Sequence, residues 1–198
     1  MTDLEARLLA ALTRPGHESS DFDLNPDTVL PEGRSLRAAG VLIGITTHSA
    51  APGVLLTKRS SALKHHPGQI AFPGGRQDPT DPTVVDAALR EAHEEIGLPR
   101  GAARVLGTLP PHETVTGFNV TPVVALIADP FPWRAEPGEV DEVFSVPFSH
   151  VADPAQFHIQ SRRWRGKLRH YFAVPYGPYY IWGATARILR GLAARMET

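Results

Sequence analysis

From Arg37 onward the chain is cut by glycine, proline and aspartate into short β-rich segments: "AAGVLIGIT", "GVLLTKR", "ARVLGTL", "TPVVALIA", "EVFSVPF", "FHIQSRR" and "RHYFAVPY". Runs of this length and composition predict strands. Only two helical patterns interrupt or follow them, over residues 83–96 and 179–195. Many short strands with few helices argue against a regular βαβ alternation and for an α+β sandwich. Ahead of this region, leucines and alanines at helical spacing over residues 3–13 predict a short helix that "RPG" stops. Residues 14–36 are polar and broken by Pro15, Gly16, Pro26, Pro31 and Gly33, and read as an ordered surface connection. The expected division is an arm over 1–36 and one domain over 37–198, including the C-terminal helix.

Composition removes several classes of function. A chain of 198 residues can close one substantial core. Its 42% hydrophobic and 21% charged residues are those of a globular protein. A formal charge of −1 disfavours a nucleic-acid partner. The chain has no cysteine, so there is no disulfide, thiolate metal site or cysteine nucleophile. The first residues lack the pattern of a signal peptide, and no apolar run approaches the roughly 20 residues that span a bilayer. The expectation is a soluble, cytoplasmic protein without a membrane partner.

The stretch "ALREAHEEIGL", residues 88–98, gathers Glu91, Glu94 and Glu95 within five positions of the central helix. Asp81 is expected to cap this helix, Pro82 to occupy its first turn and Gly97 to end it. At about 100° per residue, Val85, Leu89, Ala92 and Ile96 form an apolar stripe and the three glutamates form the stripe beside it. Like charges at this spacing cost about 0.2–0.5 kcal/mol per pair. The acidic stripe is either a solvated face or a site for a hard divalent cation, which prefers carboxylate oxygens. "FPGGRQDPTD" runs directly into the helix, and its double glycine would let main-chain carbonyls approach a metal held there.

Taken together these residues read Gly75-x5-Asp81-x8-Arg90-Glu91-x2-Glu94-Glu95-x-Gly97-Leu98. The pattern resembles the Nudix box, Gly-x5-Glu-x7-Arg-Glu-U-x-Glu-Glu-x-Gly-U, with U a large aliphatic residue. It departs at Asp81, at Ala92 and by one residue inserted before Arg90. The resemblance implies a Nudix-type α/β/α sandwich with a mixed central sheet and a loop-helix-loop metal site. It implies Mg²⁺ or Mn²⁺ held by Glu91 and Glu95, with Glu94 as a further ligand or a base acting through water. Arg90 would orient a glutamate, and a carbonyl of Gly74 or Gly75 would complete the coordination.

Outside the box, "LLTKRSSALKHHPGQIAFPGG", residues 55–75, resembles the extended signature of the coenzyme A pyrophosphatases within that superfamily. That likeness implies hydrolysis of the diphosphate of coenzyme A, or an acyl-CoA, to 3′,5′-ADP and 4′-phosphopantetheine. Such a substrate needs cationic donors besides the metal, and Lys58, Arg59, Lys64, His65 and His66 precede the box. Arg59 is the strongest choice, because a guanidinium holds phosphate bidentately. Gln69 is a further substrate-binding candidate, Phe72 reads as core rather than as a stacking platform, and Trp164 and Trp182 also read as core. The proton acceptor is left between Glu94 and a later carboxylate such as Glu139 or Glu142. The alternatives are another nucleoside diphosphate derivative, ADP-ribose or NADH, and a non-catalytic nucleotide sensor. The expected partner is a small molecule, and the fold would allow a homodimer.

Overall fold

The computed structural model describes residues 2–30, 33–49, 51–164 and 166–197, without the side chain of Trp164. In chain order the elements are α1 (Asp3–Thr13), β1 (Ser19–Ser20), β2 (Arg37–Thr46), β3 (Gly53–Arg59), β4 (Ile70–Ala71), β5 (Gly74–Arg76) and α2 (Val84–Ile96). There follow β6 (Ala103–Thr108), β7 (His112–Glu113), β8 (Phe118–Ile127), β9 (Val140–Pro147), α3 (Phe148–Val151), β10 (His158–Trp164), β11 (Lys167–Ala173) and α4 (Ala184–Met196).

The mixed sheet is built on β2 and β8, which pair in parallel from Arg37 opposite Phe118 to Thr46 opposite Ile127. The other edge of β2 is divided. At its far end it takes β3, Ile45 opposite Val54, and at its near end it takes β5, Gly40 opposite Gly75. β9 extends the sheet beyond β3, while β6 and β7 pair with β8. Alternation along each strand sorts side chains to two faces. Ile43, Ile45, Val54, Leu56, Val124 and Leu126 join the core under α1 and α4, and Leu42, Leu55, Val123, Ala125 and Ile127 join the core under α2. Helices thus cover both faces of a mixed sheet, as expected. No helix of the described residues is long and apolar enough to cross a membrane.

Four local expectations are corrected, one of them Pro82, which precedes the cap of α2 rather than standing in its first turn. The central helix is capped not by Asp81 but by Thr83, whose side chain accepts from the Asp86 N–H while Asp86 accepts from the Thr83 N–H. A hydroxyl three residues before a carboxylate makes this reciprocal box, and it frees Asp81 for another partner. The expected stripe of Val85, Leu89, Ala92 and Ile96 does pack into the core under α2, joined by buried Ala88. The C-terminal helix begins only at Ala184, because residues 176–182 make isolated bridges, Tyr176 to Tyr179 and Ala173 to Trp182. Trp182 is half-buried with Tyr171 edge-on to it, rather than a core residue. Phe72 is core; the side chain of Trp164 lies outside the described residues. Gly97 ends α2 in the left-handed conformation, as expected.

The connection over 14–36 is more than a surface crossing. β1 pairs in parallel with β7, and His112 is fully buried between Ser19 Oγ at 2.9 Å and Asp21 Oδ1 at 3.1 Å. At the opposite corner Arg14 donates to the carbonyls of Arg195 and Glu197, and Arg195 donates to those of Ala11 and Arg14. Each helix end thereby supplies donors to the orphan carbonyls of the other.

Candidate active site

The site is seated where β5 leaves β2. Leu42 N–H donates to the Pro73 carbonyl at 2.8 Å, and the turn then passes through Gly74 at φ 150°. A side chain at Gly74 would place Cβ 2.4 Å from the Gly40 carbonyl oxygen, and one at Gly75 would place it 2.6 Å from Glu91 Oε1. The double glycine therefore lets the backbone touch a strand on one side and the glutamate helix on the other. Gly74 N–H donates to Glu95 Oε2 at 3.1 Å.

That main-chain contact does not offset the position of Glu95, which is 6% exposed. Burial, then the neighbouring charge of Glu91, pushes its carboxyl pKa up to about 7, against the Gly74 N–H and the charge of Arg59. Glu91 is raised as well, chiefly by desolvation, although Arg90 opposes it. Glu94 is exposed. The acidic stripe is thus graded in depth and is not a solvated face.

Arg90 organises the rest. Its Nε and Nη2 reach Asp81 Oδ1 and Oδ2 at 3.0 and 2.9 Å, and its Nη1 reaches Glu91 at 3.0 Å and Glu94 at 2.9 Å. The bidentate fork to buried Asp81 explains why the aspartate is not the cap. Hydrogen bonds from Arg90 and then from the Asp78 N–H hold the Asp81 carboxyl below its ordinary value of 3.8. A depressed pKa in the native state stabilises above the unfolded value and is lost as pH falls through it. We therefore expect Arg90→Ala to lower Tm by several degrees at pH 7 and to flatten the loss of stability below about pH 4. Thermal melts between pH 3 and 7 check this. Arg90→Lys, which cannot form the fork, should not restore wild-type behaviour.

Of the substrate-binding candidates, Arg59 lies near enough to Glu95 for its charge to act on that carboxyl. The loop after it closes on itself, with Arg59 N–H donating to the Gln69 carbonyl and Gly68 N–H to the Arg59 carbonyl. His66 sits in this loop at φ 56°, its carbonyl accepting from the Gln69 N–H, and near enough to Arg59 to feel its charge. Lys64 and His65 are exposed on it. Lys58 alternates to the other face, paired across the ladder with Glu142 and beside Ile70.

Glu139, one of the candidate proton acceptors, is brought in by main-chain bonds of the segment before β9. Arg134 and Glu136 N–H groups donate to the Ile96 and Glu95 carbonyls, and Ser60 N–H donates to the Glu139 carbonyl at 2.9 Å. The Glu139 charge raises both Glu91 and Glu95. Glu142 instead accepts from Tyr179 Oη at 2.5 Å. As they stand, with Arg90 drawing Glu91 and Glu94 to itself, no three His, Asp or Glu side chains among the described residues converge to hold a metal ion. The donor set nevertheless fits a hard dication. It is all oxygen, and the deepest carboxylate is desolvated with a single main-chain N–H as its hydrogen-bond partner among the described residues.

Comparison with known proteins agrees with this arrangement. The NUDIX domain model matches residues 35–166. Two relatives described as the uncharacterised Nudix hydrolase NudL, from Salmonella heidelberg strain SL476 and Salmonella agona strain SL483, are each 42% identical over 180 residues, covering 91% of this chain and 93% of the relative. Among solved structures, a Nudix hydrolase from M. smegmatis, RenU, is 27% identical with a TM-score of 0.50, covering 62% of this chain and 83% of that one. The chain belongs to the Nudix hydrolase family, whose members act with divalent cations such as Mg²⁺ or Mn²⁺.

Proposed function

We propose that the protein hydrolyses the diphosphate of coenzyme A or an acyl-CoA, releasing 3′,5′-ADP and 4′-phosphopantetheine. The observation that carries this reading is the closed loop of residues 60–69 in a coenzyme A pyrophosphatase-like signature, folded so that the charge of Arg59 acts on Glu95 while Gln69 is bonded to the Arg59 main chain. Glu91 and Glu95, with Glu94 and a Gly74 carbonyl, would hold Mg²⁺ or Mn²⁺. When bound, the dication would neutralise charge on the diphosphate and acidify a water. Arg59 would grip a diphosphate oxygen, and Lys64, His66 and Gln69 would line the approach, with Lys58 supplying charge from the far face. Arg90 would keep Asp81, Glu91 and Glu94 in register. Glu139, close to both deep glutamates and free of the tyrosine that occupies Glu142, is the favoured proton acceptor.

Mass spectrometry of products from coenzyme A, dephospho-CoA, ADP-ribose and NADH with Mg²⁺ or Mn²⁺ tests the reading. Coenzyme A should give 3′,5′-ADP with the highest kcat/KM of the four. Preferred turnover of ADP-ribose or NADH would replace this substrate with another nucleoside diphosphate derivative. In ¹⁸O water the label should enter one product only; comparable label in both would mean that the diphosphate is not held in a single register.

A further inference from the structure

β10 and β11 form a separate two-stranded hairpin, with Arg162 opposite Arg169 and Gln160 opposite Tyr171. Residues directly opposite share a face, so Arg162, Arg169 and Tyr171 line one side of it. Against that side stands Trp182, with Tyr171 edge-on at 5.1 Å and the Arg162 guanidinium 4.7 Å above the ring centroid. Arg162 makes no hydrogen bond and no ion pair with any described residue. Its donors are therefore unspent, while the cation is held over the indole face.

This shelf is continuous with the site described above. Gly183, next to Trp182, lies against Gln69: a Cβ there would stand 3.7 Å from Gln69 Nε2. The Gln69 carbonyl in turn accepts from the Arg59 N–H, and the charge of Arg59 acts on Glu95. Arg59 is thus committed to the end of the site where the diphosphate would react. A phosphate monoester elsewhere on the same substrate needs a different cation.

We propose that Arg162, held over the Trp182 ring, is the specificity residue that binds a phosphate monoester on the nucleoside end of the substrate. The inference rests on the reading above for the identity of that substrate. A guanidinium stacked on a ring has already lost much of its freedom, so its fork can meet a phosphate at little further entropic cost. Arg163 provides an internal contrast. It belongs to the same hairpin and likewise pairs with no acid among the described residues, but it stands on the opposite face, across from Leu168.

The test compares kcat/KM for coenzyme A and dephospho-CoA in wild type, Arg162→Ala, Arg162→Lys, Trp182→Leu and Arg163→Ala. Arg162→Ala should reduce the coenzyme A to dephospho-CoA ratio by about ten- to a hundredfold, the value of one charge-assisted contact. Arg162→Lys should recover part of it, and Trp182→Leu should lose several-fold through the platform alone. Arg163→Ala should leave the ratio as it was. An unchanged ratio in Arg162→Ala, or an equal fall in Arg163→Ala, overturns the assignment; the latter would mean a diffuse basic field. Calorimetry separates this from failure of the substrate reading. Even if coenzyme A is not turned over, wild type should bind 3′,5′-ADP at least about tenfold tighter than 5′-AMP, a difference abolished in Arg162→Ala. Equal affinities in wild type would also overturn it.

Discussion

Glu95→Gln is expected to reduce turnover by more than about a hundredfold, since even the outer partners of a metal ligand cost about 10–100-fold when removed, and yet to make the metal-free protein more stable. Burial raises the Glu95 carboxyl from an ordinary 4.5 to about 7. Between those values the unfolded chain has released a proton that the native state still holds, so native stability falls as pH rises from about 4.5 to about 7 and is then level. The accumulated cost at pH 8 is roughly 3 kcal/mol at 1.36 kcal/mol per pH unit. The amide removes that cost, and chelator-treated Glu95→Gln should melt above wild type at pH 8 but with it near pH 4. Saturating Mg²⁺ should reverse the order at pH 8, because binding to the native state stabilises wild type by mass action. Full activity in the mutant, together with an unchanged Mg²⁺ effect on Tm, would remove Glu95 from the metal site.

The second large effect is expected at a residue with no side chain. Gly40 on β2 is buried beneath the first turn of α2, and a Cβ there would stand 2.0 Å from the Val84 carbonyl oxygen and 3.1 Å from Ala88 N and Cβ. Two of these contacts are backbone, so no rotamer change relieves them. Gly40→Ala should cost about 3 kcal/mol or more, at the upper end for overpacking. It should also depress kcat/KM, because lifting α2 from β2 draws Glu95 away from the Gly74 N–H. Denaturant melts and steady-state rates check both. Wild-type values for both would mean that α2 can shift without consequence.

These two residues mark the limits of what the sequence discloses. Glu95 was legible because the box is local: helix spacing, the Gly-Gly turn and Gly97 all lie within about 25 residues. Gly40 was not, because its constraint comes from a helix some 45 positions later and leaves no periodic trace. The same holds for Asp81, whose fork to Arg90 depends on how the loop before α2 folds back. Thr83 and Asp86 did carry a readable capping box, and the aspartate two residues earlier drew attention from it. Glu139 reaches the site through main-chain bonds to the end of α2, and no side-chain pattern announces that. Trp182 and Arg162, 20 positions apart, meet only through the β10–β11 register. The alternation of short β-rich segments conveyed the sandwich and its two helical faces, but not that β2 divides one edge between two partners.

Under the proposed function, that divided edge separates chemistry from recognition. The half that would react, β5 and α2, hangs from residues 39–41 of β2; β3 and β4, with the loop between them that would read the substrate, hang from residues 45–46. Each can change its residues without altering the register of the other, since a single continuous strand fixes the spacing between them. On that function, a chain built this way would be retargeted by rewriting residues 60–69 while the residues of β5 and α2 stay as they are.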